Sequence, residues 1–269
     1  MIRVEFIRQL RRARTWGHIA AISIVPILVG IANYTQGRGR HRQELNLYFL
    51  GTNNAVNFGI FLLLIMKDFF IVVVIASLAG ESVSGEASWG TLRYLLIRPV
   101  SRVRLILSKL FVSAVLAFAV TLLVSVIALV VGTAFFGLHD VYLIGEQGSF
   151  SIVSVSEGLS RFALGAGYVA MCTMFVVAVG IFLSTLTDST AGAVVGTIVV
   201  VVTCGVLLAV PSLEGIKPVV PTNYWGQYNG IFNPTITTDL WKGLVSSAVW
   251  STAFSIAALL RFQRKDILS

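Results

Sequence analysis

Charge is scarce in this sequence: only 12% of the 269 residues are Asp, Glu, Lys or Arg, about half the fraction of an ordinary globular domain. Cysteine is scarcer still. Cys172 and Cys204 both lie inside apolar runs, with no CxxC and no histidine at ligand spacing, so neither a disulfide framework nor a metal site is indicated. No G-x-x-x-x-G-K-[ST] string occurs, and no glycine directly precedes a lysine, which excludes ATP hydrolysis on a P-loop of this chain. No internal repeat is evident, which counts against the inverted halves common among secondary transporters. A basic N-terminal stretch precedes the first apolar run, but no A-x-A-like site follows it, so the run reads as a span and not a cleaved signal.

What is abundant is apolar surface. Hydrophobic residues make up 56% of the chain and the mean hydropathy is +0.87. A transmembrane helix needs about 20 mostly apolar residues, and six such runs are present: about 16–34, 58–80, 105–136, 162–186, 191–210 and 244–260. They leave room for one membrane domain and no separate soluble core. Residues 1–15 place Ile2, Phe6, Ile7, Leu10 and Ala13 at helical spacing, with Arg3, Arg8, Arg11, Arg12 and Arg14 around the other face. That pattern predicts an amphipathic helix lying on a membrane surface. Pro26 marks a kink in the first span.

The formal charge of +8 could suit nucleic acid, but the basic residues cluster beside apolar runs, as they do where Lys and Arg set membrane orientation; no nucleic-acid partner is expected. Thirteen of them lie at the N-terminus, between Arg93 and Lys109, and at Arg261, Arg264 and Lys265; six lie on the opposite side, at Arg38, Arg40, Arg42, Arg161, Lys217 and Lys242. The positive-inside rule therefore puts both termini and the 81–104 loop in the cytoplasm. Two outer segments are richer than linkers. One is 137–161; the other, 211–243, holds Trp225, Tyr228, Pro218, Pro221 and Pro234, and reads as short interfacial or re-entrant helices with aromatics at the membrane boundary.

The most informative stretch, SGEASWGTLRYLLIRPVSRVRLILSKL over Ser84–Leu110, lies between the second and third spans. Leu92, Leu95 and Leu96 share one helical face, Arg93 and Arg98 flank it, and Pro99 ends the helix. Ser101 can cap the next helix, whose Arg102, Arg104 and Lys109 lead into the third span.

Glu86, Gly90-Thr91-Leu92, Leu95-Leu96, Arg98-Pro99-Val100-Ser101-Arg102 and Lys109 together resemble the signature of permease subunits of type 2 ABC exporters. The match covers about a tenth of the chain, and its place after the second of six spans and the basic N-terminal helix are similar too. The resemblance implies an all-α permease of six spans in a prokaryotic cytoplasmic membrane. It implies that residues Thr91–Arg98 form a coupling helix docking on a separate ATP-binding subunit. Two ATPase copies would carry the ATP and Mg, a second permease would complete the pathway, and this chain would bind no cofactor. In that reading Glu86 faces the ATPase or the N-terminal helix, Gly90 permits close backbone approach, and Arg98 and Arg102 meet partner carboxylates or anionic lipid headgroups.

Other signals remain. Lys67 and Asp68 form an ionisable pair inside the second span, an expensive placement; they serve either as a structural tie or as part of a translocation path. Adjacent helical residues diverge by about 100°, so partners from other helices are expected for each. Gly192 and Gly196 form a G-x-x-x-G in the fifth span, a spacing that lets helices approach closely. Gly80-Glu81-Ser82-Val83-Ser84 misses a G-x-S-x-G elbow by one residue and carries little weight. The rival reading is an ion-coupled transporter or channel using Lys67, Asp68 and Asp188; a scaffold or sensor would need only spans and a docking loop. Lipids, hydrophobic drugs and peptides all suit the apolar walls as substrates.

Overall fold

The computed structural model describes residues 2–35, 51–90, 101–144, 150–233 and 239–265. Helix α1 (Ile2–Leu10) leads through a short corner into α2 (Ala13–Thr35), which runs unbroken through Pro26. Then follow α3 (Ala55–Met66), α4 (Phe70–Ser88) and α5 (Arg102–Phe136), a two-stranded hairpin of β1 (Val141–Ile144) and β2 (Phe150–Val153), and α6 (Val155–Cys172) and α7 (Met174–Leu186). The last part holds α8 (Thr190–Ala209), three 3₁₀ turns (Pro211–Leu213, Lys217–Val219, Pro221–Gln227), α9 (Tyr228–Ile231) and α10 (Leu240–Arg264). Among the described residues, six stretches are long and apolar enough to cross a membrane: α2, α4, α5, α6–α7, α8 and α10. The chain is an all-helical membrane protein with one small hairpin.

Small polar residues set the helix ends. Asn54, Ser101, Ser154 and Ser189 each accept a backbone N–H from the first turn of α3, α5, α6 and α8, satisfying donors a helix leaves open. At 35 residues, α5 is about 52 Å long and overshoots a ~30 Å hydrocarbon core. It stops at Gly137, whose φ of +74° suits glycine. Beyond it, Asn57 pins the hairpin by exchanging hydrogen bonds with the Tyr142 backbone, its amide donating to the carbonyl at 2.6 Å.

Helix α4 and the α6–α7 pair form the buried centre, while α2, α8 and α10 turn most of their apolar surface outward, as lipid-facing helices do. Backbones approach closely where Gly132 meets Ala55, Gly180 meets Ala79 and Gly80 meets Val194; a Cβ on Gly132 would sit 2.8 Å from the Ala55 carbonyl oxygen, and one on Gly80 3.1 Å from the Val194 nitrogen. Of the G-x-x-x-G pair, Gly196 abuts Leu183, but Gly192 meets nothing nearer than Ser189 at 3.5 Å. The tight seam of α8 is therefore made by Gly80 opposite Ala193 and Val194.

Four expectations are corrected. The second span is interrupted: Lys67, Asp68 and Phe69 form a turn between α3 and α4. The fourth is interrupted at Thr173. Residues 81–88 are helix and not loop, because Glu81, Ser84 and Glu86 find partners inside the bundle. Trp225 and Tyr228 are buried, since Gly165 leaves room for the Tyr228 ring and its hydroxyl donates to the Ile60 carbonyl.

Candidate functional site

Charge is gathered at the end of the bundle that carries both termini. Lys109 lies two turns into α5, on the face that buries Ile106 and Val112, and its side chain is 0% exposed. An ammonium has three N–H donors, and three acceptors surround it: Glu86 Oε1 at 2.6 Å, the Ser82 carbonyl at 2.6 Å and Glu5 Oε1 at 3.3 Å. Glu86, in the last turn of α4, is 2% exposed. From α1, Arg8 pairs with Glu5 at 2.5 Å and with Glu86. Among the described residues, two cations and two anions thus join α1, α4 and α5 in one cluster.

Such a cluster holds only as a set. Burial opposes ionisation of Glu5, but the Lys109 ammonium and Arg8 outweigh it and keep its carboxyl below the usual value. Burial likewise opposes the Arg8 charge, and Glu86 and Glu5 outweigh it, raising the guanidinium further. Removing one member of a buried pair typically costs about 3–5 kcal/mol because the other charge is left uncompensated.

A second tier lies beside it. Arg14 pairs with Glu81 at 3.5 Å, and the Ser77 hydroxyl lies 3.1 Å from His18 Nε2, tying α2 to α4. Between the tiers Arg8, Arg12, Arg14, Glu81, Glu86 and Trp89 line a cavity of about 520 Å³. Trp89 is 75% exposed at its rim.

The loop of the sequence signature leaves from this point. Gly90 ends α4 with φ +66°, and among the described residues no atom lies within 4 Å of a would-be Cβ. Its glycine serves the left-handed turn. Thr91, Leu92, Leu95, Arg98 and Pro99 lie outside the described residues. The chain re-enters at Ser101, which caps α5. Arg102 turns inward: its Nη1 donates to the carbonyls of Gln263 at 3.0 Å and Lys265 at 2.9 Å, covering acceptors that the end of α10 leaves open. Lys265 in turn pairs with Asp188 at 2.7 Å, in the turn between α7 and α8 at the bundle's end.

Lys67 and Asp68 are brought together by the helix break. Lys67 Nζ lies 2.7 Å and 2.8 Å from the two Asp68 oxygens, a geometry that successive residues of a continuous helix do not offer. Lys67 is 7% exposed and Asp68 61%. Lys67 also faces the second break, beside Cys172, Thr173 and Trp225, where the Ser247 hydroxyl bonds the freed carbonyls of Met171 and Cys172.

Sequence reading singled out Glu86 and Lys109 as the two ends of a motif and missed Glu5 and Arg8. The available signal was that Glu5 is the lone acid among five arginines in the first 15 residues.

Six apolar spans, an N-terminal helix set against them and a buried ionic cluster at one end define a polytopic helical membrane protein. Residues 27–268 match the model of the family described as "Protein of unknown function (DUF2705)"; the chain belongs to that family. No curated protein matches it.

Proposed function

We propose that this chain is the permease subunit of an ATP-driven exporter similar to the type 2 ABC exporters. It would sit in a prokaryotic cytoplasmic membrane with both termini inside, paired with a second permease and driven by two copies of a separate ATP-binding subunit. The observation that carries the reading is the ionic cluster. Glu86 and Lys109 bracket the 90–101 loop in sequence, and the fold clamps them together with Arg8 and Glu5. A loop whose two roots are fixed to each other and to α1 can pass a push from a docked ATPase to α4 and α5 as rigid-body motion. A loop on loose roots would dissipate it. Arg102, anchored on the end of α10, extends the same unit to the last span. The substrate is a lipid, a hydrophobic drug or a peptide-like molecule.

The test is to co-express the full chain with candidate ATP-binding subunits and follow co-purification and transport. Trp89→Asp, at an exposed site, should lose the ATPase while the chain stays folded; Gly90→Trp, forced into a left-handed backbone, should uncouple hydrolysis from transport. Transport that persists without any ATPase, and survives both changes, would sink the reading.

One observation favours a second reading, an ion-coupled transporter: Asp68 is exposed beside two interrupted helices, and interrupted spans often carry ion sites. A proton or sodium gradient driving uptake, abolished by Asp68→Asn, would establish it.

A further inference from the structure

The same end of the bundle holds a groove that the ionic cluster does not use. It runs between α1, α5, α7 and α10 and encloses about 1030 Å³. Its walls are mostly apolar: Leu107, Phe111 and Ala114 from α5 face Val177 and Ala178 from α7, with Ser108, Ser251 and Ser255 the polar exceptions. Leu107 and Phe111 are about half exposed into it. Its mouth is cationic. Arg3 of α1 and Arg104 of α5 both line it, both are exposed, and neither has an ion-pair partner among the described residues. No acidic side chain is among the described lining residues. The N-terminus of α5, capped by Ser101, opens beside the arginines and favours an anion further.

The dimensions match one leaflet. From Arg104 to Ala114 is ten residues of α5, about 15 Å at 1.5 Å per residue, half of a ~30 Å hydrocarbon core. A largely apolar slot one leaflet deep, with cations among its described lining residues only at the headgroup end, is complementary to an anionic amphiphile. We propose that the groove is a binding site for an anionic phospholipid of the leaflet on the termini side. Its phosphate sits between Arg3 and Arg104, and an acyl chain lies along Leu107, Phe111 and Ala114. A zwitterionic lipid satisfies the slot but not the net charge of the mouth; a free phosphate satisfies the mouth but not the slot. The bound lipid would staple α1 to α5 and α10, and the site does not depend on the permease reading.

The test uses the full chain in nanodiscs of phosphatidylcholine with and without phosphatidylglycerol, reading retained lipid by native mass spectrometry and thermal stability. Wild type should retain phosphatidylglycerol selectively and gain stability from it. Arg3→Gln with Arg104→Gln, at exposed unpaired sites, should weaken that preference about thirty-fold, since each basic residue near the surface contributes about 1 kcal/mol. Lysine at both positions should restore most of it. Ala114→Trp should fill the slot and remove the retained lipid with both arginines intact. Equal retention of the two lipids, or a preference that the double variant leaves unchanged, would overturn the proposal. So would inorganic phosphate matching the stabilisation by phosphatidylglycerol, or Phe111→Cys cross-linking to a second copy of the chain.

Discussion

The two charged regions of this protein use opposite arrangements. At the termini end, Glu5, Arg8, Glu86 and Lys109 come from three helices, and Glu5 and Lys109 are 104 residues apart. All but Arg8 are buried. At the helix breaks, Lys67 and Asp68 are neighbours in sequence, and the carboxylate is mostly exposed. The first region exchanges solvation for mutual contact and works only when all members are present. The second leaves one member on the surface of the bundle. A buried ion cluster is thus a means of holding helices together, whereas a half-exposed pair ties little and remains available for chemistry.

The largest effect expected on that contrast comes from Lys109→Ala. It removes the buried cation held between Glu86 and Glu5 and should cost about 3–5 kcal/mol, seen as a collapse of thermal stability in detergent. Pairing Lys109→Met with Glu86→Gln should recover part of the loss, and a double-mutant cycle would show the coupling. No coupling would mean that the cluster does not act as a unit.

Arg102→Ala comes next. It removes charge-assisted hydrogen bonds to the end of α10, with an expected cost of about 1.5–3 kcal/mol. Hydrogen exchange should rise in residues 262–265 and stay unchanged around Lys67.

Acid should separate the regions more gently. Because Glu5, facing Lys109 and Arg8, is held below its ordinary value of 4.5, the unfolded chain takes up its proton first as pH falls. The cluster's contribution is therefore complete above that value and is lost as pH drops through the folded value. Thermal stability followed from neutral into acid should fall in this window, and Glu5→Gln should flatten the curve.

The smallest stability effect belongs to Lys67→Met with Asp68→Asn. Removing both partners of a half-exposed pair should change stability by less than about 1 kcal/mol, while transport tests whether the pair has a chemical role. A loss as large as that of Lys109→Ala would mean that the two regions do the same work.

Much of the fold was legible because lipid imposes a simple rule: a spanning segment must be apolar and satisfy its own backbone. Hence the six runs, the cap at Ser101 and the stop before Gly137 could be read directly. The breaks at 67–69 and 173 could not. Neither holds a Gly or Pro, and apolar residues continue on both sides, so local pattern carries no sign of them. Phe69 departs from helix, at φ −129° and ψ −65°, inside surroundings that only the packed bundle provides. The hairpin was hidden for a similar reason, since its placement depends on Asn57, which lies 85 residues before Tyr142.

The sequence by itself determined that this is a membrane protein, how many spans it has, and that Glu86 and Lys109 frame a basic loop. These follow from local composition, which each segment's solvent reads directly. Only the tertiary structure decided which charges meet. Lys109 takes Glu5 and Glu86, Arg102 takes the end of α10, and Lys67 takes its own neighbour. A buried ion is stabilised by whatever lies within a few ångströms of it, and that distance is set by how helices pack and where they break.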